Sequence, residues 1–166
     1  MKNWKESLIY ILPLLIVIGG IAALAKWGSH ESAALNAVST DRATVVKSCT
    51  TDMATTFHIH PVLTIKINGV IEPIPPGVGD DASCLHPLHT HDNSGTLHVE
   101  SPVKMDFTLG DFFSLWGKTF TSRQILDSKV DDTHTITLTI DGKPSTDFEN
   151  YVLGDKQQIL IEYKTK

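Results

Sequence analysis

The chain has 166 residues, which is enough for one domain of ordinary size and an additional segment. Its formal net charge is -5, and this argues against a nucleic-acid-binding protein, because phosphate backbones are bound by basic surfaces. The composition is also uneven, since the first residues are strongly apolar and the rest has the mixed composition of a globular domain.

The apolar segment is an almost uninterrupted run from Leu8 to Ala25. Its length is close to the ~20 residues that a helix needs to cross the hydrocarbon core. Trp4 and Trp27 flank the run, and Lys2 and Lys5 precede it. Interfacial tryptophans and positive residues on the cytoplasmic side are typical of single-pass anchors. We therefore predict a transmembrane helix within residues 1–27, which places the following domain at the cell membrane and outside the cytoplasm.

A cleaved signal peptide is the alternative for this segment. Ala23, Leu24 and Ala25 offer small residues where a signal peptidase cleaves, although signal hydrophobic regions are usually ~7–15 residues long. Both alternatives export the domain. Residues 28–47 are small, polar and rich in alanine, and they predict a stalk or linker. The extracytoplasmic domain is then expected over residues 48–166.

Two cysteines, Cys49 and Cys84, lie in the exported part of the chain. An oxidising compartment favours a disulfide between them. The alternative is that Cys84 is a thiolate metal ligand, because the residues from Cys84 to His89 resemble the C-x-H-x-x-H loop of a blue-copper site.

The first predicted strand runs from Phe57 to Asn68, where apolar residues alternate with polar ones. Asn68-Gly69 predicts a tight hairpin turn into a second strand, Val70–Pro75, whose prolines indicate an edge. A third strand is expected over Gly95–Glu100.

A helix is predicted over Phe107–Trp116, with Thr108 as N-cap, Asp111 in a capping box and Gly117 as the stop. Its apolar stripe contains the aromatic residues that we expect in the core.

A second short helix is expected over Ser122–Asp127. Strands are predicted over Thr133–Ile140 and Gln158–Tyr163, with a turn at Asp141-Gly142. The predicted class is α+β, a small mixed or antiparallel sheet with one main helix in a β-grasp-like arrangement.

Histidines give the chain its most distinctive feature. Four of the 8 histidines lie between Cys84 and Glu100, and two more lie in the sequence FHIHP. Imidazole is the commonest metal ligand, and two histidines one residue apart in an extended segment point to the same side. We predict a copper site, with zinc as the alternative, because nitrogen ligation suits both ions and copper binds more tightly. The predicted ligands are His58, His60, His89, His91 and His98.

Asp92 and Glu100 are the predicted partners of these imidazoles, since ligating histidines usually donate their second N–H to a carboxylate. Asp92 can equally be a turn residue, because DNSG is a good turn sequence.

The segments FHIHP, INGVIEPIPPGVG, CLHPLHTHDNSGTLHVESP and FTLGDFFSLWG resemble a family of exported or membrane-anchored domains of bacteria and archaea. The resemblance covers roughly residues 49–163. It implies roles for the paired cysteines, for the five predicted ligands and for Glu100. The position of His86 is commonly aromatic in that family, which puts His86 in doubt as a ligand. The family has no assigned activity, so the resemblance implies site residues and not a function.

We therefore expect an extracytoplasmic domain that binds a transition metal and acts as a carrier or as an accessory subunit of a membrane metalloenzyme. Its expected partners are the membrane, a metal ion and a membrane protein complex. A metal-dependent enzyme with an open coordination position is one alternative. A structural module without metal is the other. The sequence has no nucleophile elbow and no H-E-x-x-H motif, which argues against the commonest hydrolases.

Overall fold

Three small β-sheets and two α-helices make up the structure over residues 41–49 and 56–166, which are the residues that the computed structural model describes. These residues belong to a compact unit, Ser39–Lys166. The helices are α1 (Arg42–Lys47) and α2 (Leu109–Trp116), and a 3-10 helix covers Phe148–Asn150. The strands are β1 (Phe57–Ile59), β2 (Val62–Ile67), β3 (Val70–Glu72), β4 (Leu88–His89), β5 (His98–Ser101), β6 (Phe120–Thr121), β7 (Gln124–Ile125), β8 (Ser128–Lys129), β9 (His134–Ile140), β10 (Lys143–Ser145) and β11 (Gln158–Thr165).

The largest sheet has five strands in the order β10-β9-β11-β2-β3. Strand β11 is parallel to β2 and antiparallel to β9, so the sheet is mixed. The hairpin predicted at Asn68-Gly69 joins β2 to β3, and β3 is an edge strand as the prolines indicated. The α+β class is confirmed, with several antiparallel pairs and one main helix.

The strands that carry predicted ligands form a second, histidine-bearing sheet, in the order β1-β5-β4. Both of its pairs are antiparallel. The sequence predicted one continuous strand over residues 57–68, but Pro61 divides it into β1 and β2, which join different sheets. Proline has no N–H to donate, and it restricts the residue before it to an extended conformation. The break therefore separates the strand that carries His58 from the strand that pairs with β11.

The short helix predicted over Ser122–Asp127 is wrong. These residues belong to a small antiparallel meander, β6-β7-β8. The side-chain oxygen of Thr121 accepts hydrogen bonds from the backbone N–H groups of Arg123 and Gln124, both at 3.1 Å. Such local bonds stabilise a turn in place of a helix.

The main helix, α2, begins and ends as predicted. The Thr108 hydroxyl and the Asp111 carboxylate cap the first turn reciprocally, and Gly117 ends the helix in the left-handed conformation with φ 68°. Phe112 and Phe113 are buried on its apolar face. They belong to the same hydrophobic core cluster as residues of the largest sheet.

A disulfide joins Cys49 to Cys84, with a Cα–Cα distance of 5.4 Å, so the predicted pairing is present. Cys84 is therefore not a free thiolate, and the blue-copper alternative is wrong. Helix α1, at the end of the predicted linker, buries Val45 and Val46. The Arg42 guanidinium also lies 3.7 Å from the Asp111 carboxylate.

Among residues 41–49 and 56–166, no helix is long and apolar enough to cross a membrane. The transmembrane helix predicted within residues 1–27 lies outside the residues that the structure describes.

Candidate metal centre

The candidate site is built on β5, the middle strand of the histidine-bearing sheet. Leu97 and Val99 are fully buried, while His98 and Glu100 alternate with them and face the other side. In the antiparallel register, Glu100 lies opposite His58 on β1, and His98 lies opposite His89 on β4. The pairing of three short strands therefore brings together residues far apart in sequence.

A first group consists of His58, His60, His98 and Glu100, whose ligand atoms lie within 4.8 Å of one another. The His58 and His60 rings have centroids 4.4 Å apart, as expected for two histidines on one side of an extended segment. The His60 and His98 centroids are 4.7 Å apart. Glu100 Oε1 lies 2.9 Å from His58 Nε2 and 3.4 Å from His98 Nδ1. This group can hold a metal ion through three nitrogens and one carboxylate.

A second group consists of His89, His91 and His98, and it contains imidazoles only. His89 Nε2 and His91 Nε2 are 3.3 Å apart. Two nitrogens that bind one tetrahedral ion at ~2.0–2.1 Å lie about 3.3 Å from each other. The centroid of His98 lies 5.3 Å from that of His89 and 4.4 Å from that of His91. The distance between His89 Nε2 and His91 Nε2 thus already matches that of two nitrogens bound to one ion.

The backbone fixes the tautomer of His89. Its Nδ1 lies 2.9 Å from the carbonyl oxygen of His86, which can only accept a hydrogen bond. Nδ1 therefore carries the proton, and the lone pair of Nε2 faces His91. This is the arrangement in which a metal-ligating histidine donates its other N–H to a carbonyl.

Burial also keeps the central imidazoles neutral. The pKa of His89 is lowered, mainly because its fully buried side chain is removed from water. Burial is the first cause of the lowered pKa of His98 as well, followed by repulsion from the neighbouring His91, His60 and His89. Neutral imidazoles have a free lone pair near neutral pH, and this is the form that binds metal.

Thr90 holds the two ligands of the HTH sequence in place, a role that the sequence analysis missed. Its side chain is buried, and its hydroxyl donates to the Pro75 carbonyl at 2.8 Å and accepts from Val78 N–H at 3.1 Å. Its backbone N–H donates to the Val78 carbonyl at 3.0 Å, and its carbonyl accepts from Gly77 N–H at 2.9 Å. A polar residue between two histidines is visible in the sequence, but its burial, which indicates this role, is visible only in the structure.

The two carboxylates differ in what they contact. Glu100 lies against the imidazoles of His58 and His98. Asp92 Oδ1 instead accepts from Ser94 N–H at 2.8 Å, and hydrogen bonds from the side chain and the backbone of Ser94 lower the pKa of Asp92. Asp92 thus has the turn role that its sequence equally predicted, and the electrostatic influence of His98 and His91 on its pKa is secondary.

The two other histidines in the described part of the chain, His86 and His134, contact residues outside both groups. His86 Nε2 lies 3.1 Å from the Asp81 carboxylate, close to Cys49, whose sulfur is in the disulfide. His86 therefore contributes to the site through its carbonyl. His134 contacts Asp131 at 3.0 Å and lies on the ring of Tyr163, away from the two groups. All five predicted ligands are brought together, but as two overlapping groups and not around one point.

Comparisons of the chain with protein-family models, with curated proteins and with solved structures gave no match.

Proposed function

We propose that this domain binds a transition metal ion, copper ahead of zinc, through His58, His60, His89, His91 and His98. The observation that carries the proposal is the 3.3 Å separation of the His89 and His91 Nε2 atoms, with His98 beside them. Imidazole nitrogens suit both copper and zinc, and copper(II) has the higher intrinsic affinity for such donors.

A carrier or accessory role suits the exposure of the site. His58 and His91 are exposed, so an ion has access to each group from solvent. A carrier must release its ion to a partner, and ligands at the surface exchange more readily than ligands in a closed structural site. We propose that the partner is a membrane protein complex.

A metal-dependent enzyme is the second candidate, and one observation favours it. The second group supplies three histidines, which is the number that catalytic zinc sites use while a fourth position is open to water. A purely structural module is the third candidate, since the His89 and His58 rings have hydrogen-bond partners within the protein.

The location of the domain is also part of the proposal. An anchor within residues 1–27 would hold the domain outside the cytoplasm, and the Cys49–Cys84 disulfide is what an oxidising compartment favours. The sheet order β10-β9-β11-β2-β3, with a helix between two hairpins in sequence and β11 parallel to β2, supports the β-grasp-like arrangement.

The test is the metal content of the full chain, purified in mild detergent without chelators and measured by mass spectrometry. We expect stoichiometric copper or zinc, either as purified or after incubation with the ion. His98→Ala removes a ligand from both groups, so its affinity in a chelator competition should fall at least about tenfold. His134→Ala is the matched control, because it removes a histidine outside both groups. If the wild-type chain binds neither ion, the proposed function is wrong.

A carrier and an enzyme differ in the rate at which they lose the ion. A carrier should transfer its copper to a chelator within minutes, whereas a resident catalytic ion should remain bound over the same time. Slow loss of the ion would favour the enzyme.

A further inference from the structure

His98 is the one residue that the two groups share. It occupies the middle strand of its sheet, with the first pair of histidines at β1 on one side and the second pair at β4 on the other. The structure therefore does not offer one site with five ligands. It offers two positions for an ion on either side of a single imidazole.

A neutral imidazole has one nitrogen with a lone pair, while the other nitrogen carries a proton. His98 can consequently bind only one ion at a time in this form. Two divalent cations bound on either side of the same imidazole would also repel each other. Both arguments predict that an ion bound in one group prevents a second ion from being fully coordinated in the other group.

We propose that the two groups are alternative positions for a single ion, which moves between them by exchanging ligands around His98. This inference rests on the proposed metal-binding function. In the move, the ion leaves His58, His60 and Glu100 and gains His89 and His91. No oxidation is required: metal–ligand bonds break and form, and the ring proton of His98 passes through water to the nitrogen that the ion leaves.

The two positions differ in charge. Glu100 gives the first group a negative charge, whereas the second group consists of neutral imidazoles. The negative charge of the carboxylate attracts a doubly charged ion such as Cu²⁺ or Zn²⁺ more strongly than the neutral imidazoles do. Each group also includes an exposed histidine, His58 in the first and His91 in the second. An ion can thus enter at one position and leave from the other, which is a useful property in a carrier.

The test is the number of ions bound when Cu²⁺ or Zn²⁺ is titrated into the full chain and into two double variants. His58→Ala/His60→Ala removes histidines of the first group only, and His89→Ala/His91→Ala removes histidines of the second group only. We expect one ion per chain in the wild type and in each double variant. The Cu²⁺ electron paramagnetic resonance spectra of the two variants should differ, because the Glu100 carboxylate belongs to the group that remains intact in His89→Ala/His91→Ala and not to the group that remains intact in His58→Ala/His60→Ala.

His98→Ala should weaken binding more than either double variant does, because it damages both positions. The exposed single variants His58→Ala and His91→Ala replace the double variants if these do not fold, as judged by near-ultraviolet circular dichroism. Each removes a ligand from one group and should leave one ion bound.

Two outcomes would overturn the inference while the proposed function stands. Two ions per wild-type chain would show that the positions are filled together. Loss of all binding in only one of the double variants would show that the group removed in that variant is the single site. Absence of any binding by the wild-type chain is a different result, and it refutes the proposed function itself.

Discussion

Gly95 ends the turn that separates His91 from His98, and it makes a close backbone contact that a side chain would disrupt. Its φ angle is +84°, and a Cβ atom added there would overlap the carbonyl oxygen of Leu63. The Gly95 carbonyl also accepts a hydrogen bond from Leu63 N–H at 2.8 Å. Gly69 has the same φ of +84°, but a Cβ atom there would have nothing within 4 Å. Comparing substitutions at the two glycines therefore separates the cost of the left-handed conformation from the cost of crowding.

Both Gly69→Ala and Gly95→Ala place a side chain in the left-handed region, which costs roughly 1–2 kcal/mol in free energy of unfolding. Gly95→Ala has the additional cost of overpacking, typically ~1–3 kcal/mol, because a backbone carbonyl cannot rotate away as a flexible side chain does. We therefore expect Gly69→Ala to cost about 1–2 kcal/mol and Gly95→Ala about 2–5 kcal/mol.

Urea unfolding of the metal-free full chain, followed by circular dichroism, measures both values. Metal affinity is the second measurement. Gly95→Ala shifts the backbone between His91 and His98, so it should weaken binding, whereas Gly69→Ala should leave affinity unchanged. Equal losses of stability in the two variants would refute the argument from crowding.

Three further predictions concern residues and bonds that stabilise the site. Thr90→Val keeps the shape of the side chain but loses its hydroxyl, so we expect a loss of about 1–3 kcal/mol in urea unfolding and weaker metal binding; unchanged values would contradict the role of the buried hydroxyl. Burial lowers the pKa of His89 in the folded chain, so the unfolded chain binds this proton at a higher pH. The unfolding free energy of the metal-free chain should therefore decrease as the pH falls below 6.5, the ordinary pKa of histidine. A flat unfolding free energy between pH 7.5 and 5.5 would contradict this. Replacing Cys49 and Cys84 together by serine opens a loop with a sequence separation of 35 and should cost roughly 2–4 kcal/mol, measured by urea unfolding; wild-type stability would show that the disulfide contributes little.

The parts of the fold that depend on neighbouring residues were predictable from the sequence. The capping box of Thr108 and Asp111, the glycine stop and the hairpin at Asn68-Gly69 are all local signals, and each lies where it was predicted. The meander at Phe120–Lys129 was missed because hydrogen bonds to the Thr121 hydroxyl compete with helix formation. The sequence alone does not reveal that competition.

The proximity of the candidate ligands could be predicted in part from the sequence, but their arrangement could not. Alternation in a strand correctly placed His58 beside His60, and His98 on the same side as Glu100. Which strands pair, and in which order, depends on contacts distant in sequence. The division at Pro61 and the central place of β5 therefore could not be obtained from spacing, and the sequence predicted one point of convergence where the structure has two groups.

The sheet that carries the histidines has strands too short to be stable by themselves. Its stability must come from connections to the rest of the domain. Thr90 is bonded to the Pro75–Val78 segment, Leu97 N–H donates to the Pro61 carbonyl at 2.9 Å, and the disulfide closes the loop before β4. These connections act on the backbone, whereas the ligand rings themselves lie toward solvent or against one another. A fixed backbone with imidazoles packed side by side lets an ion exchange ligands without a change of fold, and this is the physical basis on which the two positions around His98 can serve one ion.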